Sequence, residues 1–341
     1  MAVKLTDILK DAKSGDGVAS RAEDYDRRYG GAARGGRDER KSDYKDFENT
    51  YYDLVTDFYE YGWGRSFHFA PRIEGESFAA SLARHEHYLA HRLDLQPGMT
   101  AVDLGCGIGG SLREIARFSG ARILGVNNNE YQLKRAAKLT EAEYLSHRVE
   151  YLKCDFMNVD APDNTFDAVY AIEATCCAPD KAGVFGEAFR LLKPGGRFGA
   201  YDFCLTDLFD AQDPLHLKLK ADMEYGGGLP DIARPHEMDD AMRRVGFDLL
   251  DARDLAADAP PGIPWYQPLV GSGLSFASAR SSPVGRRLTR GSLWLLERLR
   301  IVPRGTAQVA AFLNVAGEAF AEAGRLGIFS PMYFLLGRKP E

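Results

Sequence analysis

Short, almost wholly apolar runs recur along the middle of the chain, separated by stretches in which apolar residues return every three or four positions. The runs at 100–104, 122–126, 148–152, 167–172 and 196–201 have the continuity of strands covered on both faces of a sheet. Between them helices are expected to begin near Ser111, Glu130 and Asp180, and Lys193-Pro-Gly-Gly196 reads as a turn that ends a helix and launches a strand. This alternation predicts a doubly wound, largely parallel α/β sheet. Upstream, residues 76–94 read as a helix with Phe78, Leu82, His85 and Leu89 on one face. Downstream come helices at 213–225 and 235–245, a strand at 247–252, a proline-rich loop at 260–273, a largely helical stretch at 284–327 and a final strand at 332–336.

Composition divides the chain into four consecutive regions. Residues 1–45 are charged and glycine-punctuated and predict a mobile polar arm; 46–99 hold an aromatic segment and a helix expected to cover the active site. Residues 100–255 form the α/β core, and 256–341 a helical lid with the last strand. A net charge of -6 argues against nucleic acid as a partner. The five cysteines are odd in number and lack zinc spacing, which predicts reduced thiols, no metal and a cytoplasmic location. No apolar run reaches the roughly 18 residues of a spanning helix, and the first residues lack the apolar run of a signal peptide.

The chemistry concentrates where the first strand ends, in Asp103-Leu-Gly-Cys-Gly-Ile-Gly-Gly110. Glycines at a strand-to-helix turn let a ligand approach the backbone, and the following helix adds free N–H groups. The spacing G-x-G-x-G-G departs from the dinucleotide fingerprint, and the acid before it suits a cation better than a pyrophosphate. The loop resembles that of class I methyltransferases, whose cofactor S-adenosylmethionine (SAM) carries a sulfonium and an ammonium. That resemblance makes Asp103, Gly105, Cys106, Gly107 and Gly109 cofactor-binding candidates. At the second strand end Asn127, Asn128 and Gln132 are candidates for the ribose, where an amide replaces the usual acid, and Asn129 for a helix cap. At the third, Asp155 and Phe156 offer a carboxylate and a ring for the adenine, with a helix cap as the alternative for Asp155. Glu173, after three apolar residues on the fourth strand, predicts a cationic neighbour or an ion pair.

Several separate stretches together resemble the sterol 24-C-methyltransferases. They are Tyr59-Glu-Tyr-Gly-Trp-Gly64 with Ser66-Phe-His-Phe69, Ala83-Arg-His-Glu-His-Tyr-Leu89, the glycine loop, Gly125-Val-Asn-Asn-Asn-Glu-Tyr-Gln132, Tyr170-Ala-Ile-Glu-Ala-Thr175, Leu192-Lys-Pro-Gly-Gly196 and Pro264-Trp-Tyr-Gln-Pro-Leu269. The resemblance covers roughly residues 45–340. It implies a class I SAM-dependent methyltransferase fold, a seven-stranded, doubly wound, mostly parallel sheet with an antiparallel last strand. It also implies transfer of a methyl group from SAM to the side-chain alkene of a sterol, through a carbocation, leaving S-adenosylhomocysteine. The chain departs from the family at Cys177, where a histidine is usual, at Ser111 and Arg65, and at Tyr201-Asp-Phe203 in place of Tyr-Glu-Trp.

Such a reaction needs aromatic faces and carboxylates around a cation, and a base. The aromatic stretch assigns Tyr61, Trp63 and Phe67 to a cation-facing wall, Glu60 and Glu173 to electrostatic stabilisation, and His68 or Glu60 to the base. Ordinary packing is the alternative for half of the rings, and a hydrogen-bonded structural role for His68. His85 and His87 flank Glu86 but point to different helix faces, so no metal is expected there. Residues 284–304 combine Leu288, Leu295, Leu296, Leu299 and Val302 with Arg286, Arg287, Arg290, Arg298, Arg300 and Arg304, and Trp294. They predict peripheral membrane contact or a packed helix with a basic face. Rival readings are methylation of another apolar lipid (a triterpene, a prenylated quinol, a fatty-acyl alkene) and a non-catalytic SAM- or sterol-binding protein; an oligomer is left open.

Overall fold

The computed structural model describes residues 17–30, 36–259, 262–270, 293, 295–299 and 301–341. They fall into two compact units, each assembled from separate stretches. Residues 65–207, 232–265 and 329–341 form the unit that carries the sheet; 1–64, 208–231 and 266–328 form the other. The units thus cut across the consecutive regions drawn from composition.

In the sheet unit the strands are β1 (Thr100–Leu104), β2 (Arg122–Asn127), β3 (Val149–Lys153), β4 (Phe166–Ile172), β5 (Leu192–Leu205), β6 (Asp248–Asp254) and β7 (Phe329–Arg338). Their order is β3-β2-β1-β4-β5-β7-β6. The first five pair in parallel, and β7 runs antiparallel to both β5 and β6. The apolar runs are strands because both faces are covered: Ala101, Ile123, Ala168 and Phe334 share one buried cluster with Leu89, Leu112 and Ile115 from helices, and Val102 and Val169, pointing to the opposite face, are buried as well. Two strands exceed expectation. β5 starts at Leu192, which pairs with Phe166 before Arg197 pairs with Ala168, so Lys193–Gly196 bulges out with Gly195 at φ 78°. β7 is longer than the run at 332–336 because strands on both sides give it hydrogen-bond partners.

Helix Phe78–Arg92 buries Leu82, His85 and Leu89 as the periodicity requires, and also Ser81 and Glu86. The buried Glu86 breaks the pattern because it has a partner, described below. Asp180 and Asn129 cap the helices that follow them, with side chains accepting from Gly183 N–H and Gln132 N–H.

The other unit is helical. It contains Gly17–Tyr29, Arg37–Ser42, Tyr44–Gly62, Pro214–Gly227, Gln267–Val270 and Thr306–Leu326. Its core is aromatic, with Tyr25, Tyr29, Phe47, Tyr51, Tyr225 and Phe312 packed together. A mobile arm over 1–45 is therefore corrected for 17–29: Ala22, Tyr25 and Tyr29 are spaced three and four apart, and that single stripe is buried amid charges. Arg40 is buried too, donating to Glu224 at 2.7 Å and to the Pro230 carbonyl at 3.1 Å. Residues 1–16 and 31–35 of the arm lie outside the described residues, as do Pro260, Pro261 and most of 284–304, including Arg286, Arg287, Leu288, Arg290, Trp294 and Arg300. Among the described residues no helix is long and apolar enough to cross a membrane. All five cysteines are free thiols.

Candidate cofactor and substrate site

The strand order reverses between β1 and β4, and their carboxyl ends open the crevice where doubly wound sheets bind ligands. Gly105 and Cys106 donate their N–H groups to the Val126 carbonyl at 2.9 and 3.0 Å, which turns the loop back over β2. Gly107 sits at φ 54° and a Cβ there would meet nothing, so the backbone is open to a ligand at that point. Gly110 has a different reason to lack a side chain. Its Cβ would lie 1.9 Å from the Arg65 carbonyl oxygen, because the chain at Arg65–Ser66 crosses the first turn of helix Gly110–Ser119. Arg65 is anchored there by Glu143 at 2.8 Å, a carboxylate that Arg113 and Arg117 share.

Asp103 is buried, and burial pushes its carboxyl up to about 8, with the nearby Glu86 adding to the effect. No lysine or arginine pairs with it among the described residues. A cationic ligand would let it ionise, so the donor set at the loop fits SAM. At the β2 end Asn127 donates to the Gln132 side chain at 2.8 Å, and its own oxygen accepts from Asn128 N–H at 3.1 Å. Asn129 is the helix cap, as expected. At the β3 end Asp155 accepts from Met157 N–H at 2.9 Å in a turn rather than capping a helix, and Phe156 is buried behind Gly105.

Glu173, at the end of β4, has φ 49°, a left-handed backbone unusual for a residue with a side chain. Its N–H donates to the Tyr201 carbonyl at 2.8 Å, and its carboxyl accepts from Phe69 N–H at 2.7 Å. Burial raises it well above the usual carboxylate range, with Asp202 adding to the shift and the Phe69 N–H opposing it. The loop that follows is pinned by Asp202, wholly buried. Thr175 Oγ1 donates to Asp202 at 2.5 Å, and Lys181 Nζ donates to Asp202 and to the Thr175 carbonyl, both at 2.7 Å. Cys177 is buried in this loop.

Four rings close a circuit beside Glu173. Phe69 meets Trp265 edge-on at 5.1 Å and Phe203 at 6.2 Å, while Phe329 meets Phe203 at 5.4 Å and Trp265 at 5.8 Å. Phe69 and Trp265 lie in stretches that carry the resemblance and Phe203 in one that departs from it, while none of the four is among the rings assigned the cation-facing role. The assigned residues are distributed otherwise. Glu60, buried, and Tyr61, 45 % exposed, end the helix Tyr44–Gly62, with Trp63 just beyond, all in the helical unit. Phe67, half-buried, belongs to the sheet unit with His68 and Glu173. His68 is buried with both ring nitrogens engaged, Nδ1 on the Phe69 carbonyl at 2.7 Å and Nε2 on Glu86 at 3.0 Å. That is the structural alternative to a base.

Comparison with known proteins gives the arrangement a family. Residues 276–341 match the model for the sterol methyltransferase C-terminal region and 102–200 that for a methyltransferase domain. A cycloartenol-C-24-methyltransferase from Arabidopsis thaliana is 49 % identical over 90 % of this chain and 91 % of its own length. The chain belongs to the sterol 24-C-methyltransferase family. A sterol 24-C-methyltransferase of Saccharomyces cerevisiae is 42 % identical over 93 % of this chain and 85 % of its own. Among solved structures, a cyclopropane synthase from Mycobacterium tuberculosis superposes with a TM-score of 0.67 at 17 % identity, covering 86 % of this chain and 98 % of that one. That likeness shows the class I fold alone. Asp202 holds the loop after Glu173, and Phe203 forms one side of the ring circuit.

Proposed function

We propose that this chain transfers a methyl group from SAM to a side-chain double bond of a sterol. The observation that carries the reading is the four-ring circuit of Phe69, Phe203, Trp265 and Phe329 beside the buried carboxyl of Glu173, in a chain nearly half identical to a plant sterol methyltransferase. Bound SAM supplies the methyl group on a sulfonium. Asp103 and the open backbone at Gly107 would hold its positive end, Asn127, Asn128 and Gln132 its ribose, and Asp155 and Phe156 its adenine. An alkene is a weak nucleophile, so alignment and exclusion of water contribute most of the protein's share. The methylated side chain carries positive charge, which ring faces stabilise and which favours ionisation of the Glu173 carboxyl despite its burial. Loss of a proton to a base, the role the resemblance leaves to Glu60 while both His68 nitrogens are engaged, then restores a double bond. Glu60, Tyr61, Trp63 and Phe67 keep the electrostatic and wall roles that the resemblance implies, and Glu60→Gln turnover tests the first of them.

The test is a pair of sterol analogues, one with a protonated amine where the cation forms and one with a neutral isostere. The amine should bind about tenfold or more tightly, since a desolvated cation–π contact contributes about 2 kcal/mol. Equal affinity would refute the wall. Residues 284–304 are assigned to peripheral docking on anionic lipid, through which an oily substrate would enter; Leu295, Leu299 and Ile301 are exposed there. Flotation without anionic liposomes binding the protein would refute that part.

A further inference from the structure

We propose that His68 and Glu86 are a buried positioning pair that sets the Phe69 backbone, and through it the Glu173 carboxyl, rather than groups that take the substrate's proton. The proposal rests on Glu173 facing the reacting side chain, as read above. The Phe69 backbone is held on both sides: its N–H donates to Glu173 Oε1 at 2.7 Å, and its carbonyl accepts from His68 Nδ1 at 2.7 Å. A carbonyl only accepts, so Nδ1 carries a hydrogen. Nε2 then faces Glu86 Oε1 at 3.0 Å with one more proton between them, on whichever atom it rests. Either way the pair is neutral overall, which is how a carboxyl and an imidazole, each 2 % exposed, remain buried.

The grip on Glu173 is double, and both arms return to one helix. Glu86 lies on helix Phe78–Arg92. On the same helix His85 stacks on the Tyr201 ring at 3.6 Å, and its carbonyl accepts from the Tyr201 hydroxyl at 3.0 Å. Tyr201 in turn accepts the Glu173 N–H through its own carbonyl at 2.8 Å. The left-handed backbone of Glu173 therefore persists because its main chain is fixed through Tyr201 and its side chain through Phe69. His68 has no ring nitrogen left to meet a substrate.

The experiment uses the full chain with Glu86→Gln, Glu86→Ala and His68→Gln. Isothermal titration with SAM, turnover with an alkene sterol and NMR of protein labelled with 15N-histidine are read on each. Glu86→Ala and His68→Gln should lower kcat about 10- to 100-fold and leave the SAM Kd within about twofold, as for a misplaced group rather than a lost ligand. Glu86→Gln can donate to Nε2 while Nδ1–H stays on Phe69, so its kcat should stay within about threefold of the parent. The His68 Nδ1–H resonance should be protected from exchange in the parent and in Glu86→Gln, and absent in Glu86→Ala. Should Glu86→Ala not fold, Glu86→Gln and the resonance still decide. The proposal is overturned by unchanged kcat in Glu86→Ala, by Glu86→Gln as inactive as Glu86→Ala, or by an unprotected Nδ1–H. A parent with the resonance intact and no sterol turnover would overturn the assigned reaction and uphold the pair.

Discussion

Lys181→Met removes one member of the buried pair behind the Glu173 loop, and the structure sets the size of its effect. Lys181 is 12 % exposed and Asp202 is wholly buried, with 2.7 Å between Nζ and Oδ2. Without Lys181 the carboxylate keeps Thr175 Oγ1 and its own Phe203 N–H as donors but no countercharge. Removing one partner of a buried pair costs about 3–5 kcal/mol, and the partial exposure of Lys181 places the loss near the lower figure. A loss of about 3 kcal/mol lowers Tm by about 4 °C, since the unfolding entropy of a 341-residue chain is about 0.7 kcal/mol/K. Asp202→Asn in the same chain removes the stranded charge, while its amide still bonds to Thr175 and Phe203, so the double variant should regain about 2 kcal/mol. Guanidinium unfolding of the parent, both single variants and the double gives the coupling energy directly. A loss below about 0.5 kcal/mol for Lys181→Met, or strict additivity across the cycle, would refute the reasoning.

Three further outcomes follow from the site. Asp103 has its ordinary value of 3.8 raised to about 8 in the fold, so between those pH values the folded chain keeps a proton that the unfolded one has lost. Stability therefore falls as pH rises through that window, by up to about 1.4 kcal/mol per pH unit, and Asp103→Asn should flatten the difference between urea unfolding at pH 5 and pH 8; an unchanged difference would count against the assignment. Gly110→Ala puts a methyl 1.9 Å from the Arg65 carbonyl, a backbone that cannot yield cheaply, so it should cost about 1–3 kcal/mol in unfolding and weaken SAM binding in calorimetry. Trp265→Leu should lower kcat about tenfold with the SAM Kd unchanged, a tenfold change being about 1.4 kcal/mol of lost cation stabilisation; a fall in SAM affinity instead would place Trp265 in the cofactor site.

The sheet was legible because covered strands write their burial into consecutive positions: Ala101-Val-Asp-Leu104 and Phe166–Ile172 need no partner information to be read. The glycine loop was legible for a related reason, since Gly105, Gly107 and Gly109 answer a local demand for positive φ, whereas the reason for Gly110, the chain at Arg65, appears only in the fold. The aromatic core of the helical unit was not, because Ala22, Tyr25 and Tyr29 are three residues in a field of charges, and only Phe47, Tyr225 and Phe312 give them a reason to be buried. The same holds for the site. His68 and Glu86 are 18 residues apart, Phe69 and Glu173 104, and no spacing links them until the fold does. A histidine flanked by aromatic residues looks like a base in one dimension, and only the fold shows both its nitrogens occupied. The ring circuit draws on four separate places in the chain, and only the fold brings Phe69, Phe203, Trp265 and Phe329 together.

The central claim is that a carbon–carbon double bond accepts the methyl group. Its most direct test gives the purified chain methyl-deuterated SAM and two sterols that differ only in side-chain unsaturation, with products identified by mass spectrometry. The account predicts a side-chain-methylated product from the unsaturated sterol, matched by S-adenosylhomocysteine, and none from the saturated one. Label appearing equally on both sterols, or on a hydroxyl oxygen, would contradict it.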